Sequence, residues 1–188
     1  ELSKLLLDDK TFNPRFSVHE GPISIDGLTK TSKHGEFIGS YSPKNYKITI
    51  SKEFAGQESI FLHEAVHART HSAIEKAMLD HADFRHFKPA VERINELFNQ
   101  FREDAVKSDK WEKILNQYGV THIHEFVAEG FTNPTFQSLL ARTQVPKNLR
   151  RGNFKLYWDV FVDRIGKLLG FDRSKHNYLS ELIKAGAD

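Results

Sequence analysis

His63-Glu64-Ala65-Val66-His67 puts two imidazoles and a carboxylate on little more than one turn of chain. On a helix, positions i and i+4 share a face, so the two rings stand one above the other as two ligands of one metal ion must. Glu64 falls about 100° round the helix from His63, where a carboxylate reaches a metal-activated water without ligating the metal itself. This H-E-x-x-H spacing is the one used by zinc hydrolases. The pattern is short, and its structural alternative is a buried helix with two hydrogen-bonded histidines and a surface glutamate.

A catalytic zinc takes three protein ligands and leaves one position for water. His71 follows His67 at the same spacing, but eight residues of straight helix rise ~12 Å, too far for His63 and His71 to close on one ion. A return through a glycine turn, H-E-x-x-H-x-x-G-x-x-H, is absent because Thr70 and Ala73 occupy the relevant positions. The other source is Glu125-Phe-Val-Ala-Glu129, two carboxylates at i, i+4 among Phe126, Val127, Ala128 and Phe131. Both could point outward as solvated charges. Burying them in such a helix costs free energy unless a cation or an imidazole N–H answers them, and a metal centre supplies both.

Composition narrows the donor set. The 188 residues include ten His and no Cys, so a transition metal here would be held by imidazole and carboxylate. Disulfides, thiolate catalysis and iron–sulfur clusters are excluded. Lys and Arg total 27 against 25 Asp and Glu, a near balance that gives no electrostatic case for nucleic acid or an anionic membrane. The basic stretch Lys147, Arg150, Arg151 and Lys155 reads as a solvated connection rather than a nucleic-acid footprint. No apolar run approaches the ~20 residues of a spanning helix. The chain begins at Glu1 and is expected to be a piece of a larger protein, so its localisation is not legible.

Residues 1–55 are expected to form the β-rich part of one domain and residues 56–188 its helical part. The alternating runs at 23–27, 36–41 and 46–50 read as strands, and the last two flank a Pro-Asn turn at 42–45 in hairpin fashion. Apolar Ile60, Phe61, Leu62, Ala65, Val66 and Ala68 predict a buried helix around the H-E-x-x-H motif. Spacing of Val91, Ile94, Leu97, Phe98, Phe101 and Ala105 predicts an amphipathic helix over 89–107. Asp109 and Glu112 resemble a capping box ahead of Trp111, Ile114 and Leu115. A helix over 123–132 should stop before Pro134, and Asn133-Pro134 is an N-cap and first-turn pair for the next. Phe154 to Leu169 reads as one more amphipathic helix, and Leu179, Leu182 and Ile183 as a shorter last one.

The segment Tyr118-Gly-Val-Thr-His-Ile-His-Glu125-Phe-Val-Ala-Glu129-Gly-Phe131, together with the H-E-x-x-H block, resembles the catalytic domains of anthrax lethal factor and its relatives, including the Pro-Pro endopeptidases. A tyrosine seven residues ahead of the ligand glutamate and an E-F-x-A-E-x-F run are the shared marks. The wording from His124 to Gln137 is also similar to metallopeptidase domains of large phage and mobile-element polyvalent proteins. The likeness covers about residues 58–71 and 118–137.

The resemblance implies an α+β zincin-like metallopeptidase fold, with a small N-terminal mixed sheet, an active-site helix and a helical C-terminal part. It implies a gluzincin-type zinc endopeptidase in which His63, His67 and Glu125 bind one Zn²⁺. Glu64 would act as general base and then acid, Tyr118 would donate its hydroxyl to the oxyanion, and Glu129 would orient a ligand histidine through its other ring nitrogen. The partner would be a polypeptide substrate bound as an extended strand along the sheet edge, and other domains of a parent polyprotein are further candidate partners. Residues 36–41 are expected to be that edge, with 46–50 as the inner neighbour. The competing reading is an inactive zincin-fold interaction module of a larger phage or toxin-like protein, against which Glu64 and Tyr118 argue because binding alone needs neither.

Overall fold

The computed structural model describes residues 13–20, 28–31, 37–107, 118–149 and 156–168. The expected strand at 23–27 and the short helices after Asp109 and around Leu179 lie outside the described residues. The architecture is mixed α+β and mostly helical. The chain divides into two compact units, residues 1–72 and 73–188, and the division falls inside the first α-helix.

The first unit holds a four-stranded sheet: β1 (Arg15–His19), β2 (Leu28–Thr31), β3 (Phe37–Ser42) and β4 (Lys47–Ser51), in the order β1-β4-β3-β2. β3 and β4 form the expected antiparallel hairpin, with Ser42 opposite Lys47. Its four-residue turn closes on Tyr46, which takes the left-handed conformation at φ 47°. β1 joins β4 in parallel, and such a pair requires the long connection that β2 and β3 occupy. One expectation is corrected here. The strand over 36–41 is interior, because β2 pairs along it antiparallel from Leu28–Tyr41 to Thr31–Phe37. The outer strand on that side is β2.

Alternation along β4 buries Ile48 and Ile50 and leaves Lys47, Thr49 and Ser51 partly exposed. With Tyr41 they pack on Ile60, Ala65 and Ala68 of α1 (Glu58–Met78). Burying each such aliphatic side chain contributes roughly 1.5–3 kcal/mol, so the strand face and the helix are held by the same few residues. α1 ends at a reversed turn in which His81 N–H donates to Lys76 O and Asp80 N–H to Ala77 O, with Asp80 left-handed at φ 57°. This is the Schellman arrangement, with aspartate in the usual glycine place. The Asp80 carboxylate in turn accepts a 2.9 Å hydrogen bond from Lys88.

The second unit contains α2 (Lys88–Lys107), α3 (Ile123–Thr132), α4 (Pro134–Arg142) and α5 (Tyr157–Leu168). Ala90, Val91, Ile94, Leu97, Phe98, Phe101 and Ala105 form the buried stripe of α2, as the 3.6-residue spacing predicts. Phe126 of α3 sits at the centre, its ring 5.6–5.8 Å from those of Phe98, Phe101, Phe136 and Phe161. Tyr157 closes the far side by donating a 2.6 Å hydrogen bond to Asp104. No helix among the described residues is long and apolar enough to cross a membrane.

Gly130 lets α3 approach α5. A methyl group there would stand 2.3 Å from Cζ of Phe161, and that ring is fully buried. Gly130→Ala is therefore expected to destabilise the fold by about 2 kcal/mol in urea unfolding. Overpacking costs about 1–3 kcal/mol or more and the gain in helix propensity returns under about 1. An unchanged unfolding midpoint would show that the two helices are free to separate.

Candidate metal centre

Within the first unit the motif reads as expected. From His63 to Ala68 six consecutive residues of α1 are buried, as in a helix apolar around much of its girth. His63 and Glu64 are 0 % exposed and His67 1 %. The two imidazoles stand nearly perpendicular, with Nε2 of His63 and Nε2 of His67 3.1 Å apart. Two nitrogens each ~2.05 Å from a tetrahedral ion lie about 3.3 Å from one another. The pair thus has the spacing of two zinc ligands, and its borderline nitrogen donors suit zinc.

Glu64 is positioned by a residue that the motif does not contain. Gly39 of β3 faces it, and a Cβ on Gly39 would lie 3.1 Å from Oε1 of Glu64 and 3.2 Å from Cγ2 of Ile60. The bare backbone of β3 therefore runs directly over the carboxylate. A glycine inside a strand signals such a close approach, and Phe-Ile-Gly-Ser-Tyr carried that signal in the sequence.

His71 is half-buried and meets the ring of Tyr41 edge-on at 5.9 Å. The Tyr41 hydroxyl is buried and has no hydrogen-bond partner among the described residues. Burial first, and Tyr46 second, push its pKa up to about 12, so it stays neutral at any ordinary pH.

In the second unit α3 carries the other candidates. All nine residues from Ile123 to Phe131 are buried, including Glu125 and Glu129 at 3 % exposure each. The solvated reading of this glutamate pair does not hold, and i, i+4 spacing puts both on one face. His122 is the N-cap of α3, its Nδ1 accepting from His124 N–H. His124, 1 % exposed, hydrogen-bonds through Nε2 to Oε1 of Glu75 at 2.7 Å.

Glu129 accepts a hydrogen bond from the side-chain amide of Asn133. Asn133 in turn caps α4, its Oδ1 accepting from Thr135 N–H and Phe136 N–H at 2.9 and 3.2 Å. Gln137 returns to α3 by donating to the carbonyls of Gly130 and Phe131. Tyr118 opens a 3₁₀ turn that runs to Val120, just ahead of α3. Its side chain lies outside the described part. Gly119 packs tightly there, since a Cβ would come within 2.9 Å of Phe136 and 3.1 Å of Glu129.

The first unit thus brings His63, Glu64 and His67 together, and the second brings Glu125 and Glu129 onto one buried face behind the Tyr118 turn. Sequence reasoning missed Glu75 and the partnership of Asn133 with Glu129. Glu75 and His124 are 49 residues apart, and no local pattern links them. No family model, curated protein or solved structure matches the chain.

Proposed function

We propose that this chain is a zinc-dependent endopeptidase of the gluzincin type, built on a zincin-like fold. The observation that carries the reading is the buried pair of imidazole nitrogens 3.1 Å apart on one helix, with a glutamate buried beside the first of them. His63, His67 and Glu125 are the residues that would hold the ion, all three buried and each offering one ligand atom. The ion supplies Lewis-acid chemistry, lowering the pKa of water and polarising the scissile carbonyl.

The rest falls to the chain's own groups. Glu64 takes the proton of the attacking water and returns it to the leaving amine nitrogen. Its seat against the backbone of β3 keeps the carboxylate from swinging away. Tyr118 donates its hydroxyl to the carbonyl oxygen as that oxygen gains negative charge. Glu129 holds a ligand imidazole through its second nitrogen and fixes its tautomer. The polypeptide substrate adds as a strand to the sheet edge. With β3 interior, the reading takes β2, the outer strand paired with it across Gly39, as that edge.

Elemental analysis of the purified protein together with a peptide-library cleavage profile tests this. The expected result is one zinc per chain, with cleavage abolished by chelator and restored by zinc. No bound transition metal after zinc addition would refute the ligand set. Stoichiometric zinc without cleavage of any library peptide would refute the endopeptidase and favour an inactive interaction module.

A further inference from the structure

We propose that Glu75 is a positioning residue for Glu125: by accepting the hydrogen bond of His124, it fixes the rotation of the first turn of α3, which bears Glu125, within the second unit. The inference rests on the reading of His63, His67 and Glu125 as ligands. Apolar packing sets how deeply α3 is buried, as the ring of phenylalanines around Phe126 does. The hydrophobic driving force behind such packing is itself non-directional. The 2.7 Å bond from Nε2 of His124 to Glu75 is directional and sits in the first turn. Because His124 immediately precedes Glu125, fixing the direction of one side chain fixes the other about 100° round the helix.

A ligand carboxylate must be held within about 0.5 Å and 10–20° of its binding geometry, which apolar packing alone does not ensure. The acceptor also suits the task. A carboxylate is a strong acceptor, and a hydrogen bond to an ionised one is of the stronger, charge-assisted kind. It lies on the stretch of α1 whose end is locked by the reversed turn at Asp80. The side chain of Glu75 is 43 % exposed while that of His124 is 1 % exposed, so shortening Glu75 leaves no buried void.

Zinc affinity of the folded protein, measured by competition with a chromophoric chelator, tests the proposal on Glu75→Ala, Glu75→Gln, His124→Ala and the Glu75→Ala/His124→Ala double variant. Glu75→Ala is expected to weaken zinc binding about 10–100-fold, the usual effect of removing a group that orients a metal site from behind. Glu75→Gln keeps an acceptor oxygen and should recover most of that loss. The double variant should bind no more weakly than the weaker single one, since the two residues act through one bond. Should His124→Ala fail to fold, the two Glu75 variants carry the test. Wild-type affinity in Glu75→Ala, or no rescue by Gln, overturns the positioning role alone. A wild-type protein that binds no zinc overturns the metal centre, and this role with it.

Discussion

Glu64→Gln is expected to retain zinc and to lose peptide hydrolysis by about 10²–10⁴-fold, the contribution of a positioned general base. That corresponds to about 3–5 kcal/mol in the barrier. The substitution suits the question because Glu64 is wholly buried, with Gly39 close against its carboxylate. Glutamine fills the same volume and leaves β3 where it is, but its amide cannot take up a proton from water. Turnover should fall while KM stays near wild type, the pattern of a group that acts in the transition state and not in substrate binding. Unchanged hydrolysis would remove Glu64 from the mechanism. The same variant loaded with zinc is the control for any library cleavage profile, since activity that survives in it comes from a contaminant or from different chemistry.

What the sequence made legible was the local part. The helix over 123–132 and the Asn133 cap were readable because a cap, a proline and a 3.6-residue stripe all act within a few residues. The hairpin between β3 and β4 was readable for the same reason. The far end of α1 was not, because its stop is an aspartate in the left-handed position where a glycine would have announced it. The strand order was not legible either. β1 pairs with β4 in parallel and β2 covers β3, and alternation within a strand says nothing of its neighbours. The interior place of residues 37–42 follows from those non-local pairings alone.

The site divides in the same way. His63, Glu64 and His67 are related by helix geometry, so their mutual placement was implicit in their spacing. The burial of Glu125 and Glu129 was suggested by their apolar neighbours and is borne out at 3 % exposure each. Which groups restrain them was not readable, although a strand glycine at Gly39 hinted at a close approach. Gly39 meets Glu64 and Glu75 meets His124 only once strands and helices have packed.

Glu125→Ala should abolish the stabilisation that zinc gives the protein, whereas His71→Ala should keep it in full. A ligand that binds only the native state stabilises by RT ln(1 + [L]/Kd), about 2.7 kcal/mol at a hundred times Kd. Loss of a direct ligand costs more than the ~10–100-fold that removal of an orienting group costs. At the same zinc concentration a variant a hundredfold weaker gains only about 0.4 kcal/mol, so its melting temperature hardly responds to the metal. His71 lies two helical turns beyond His63, a rise of ~12 Å, and its ring is engaged with Tyr41. Neither fact suits a third ligand. Glu125 is a carboxylate buried in an apolar helix, where a charge persists only if something positive or hydrogen-bonding answers it. Thermal unfolding with and without zinc, run on both variants, decides between them. A zinc response lost in His71→Ala and kept in Glu125→Ala would move the third ligand from α3 to α1, and the likeness to a gluzincin centre would fail with it.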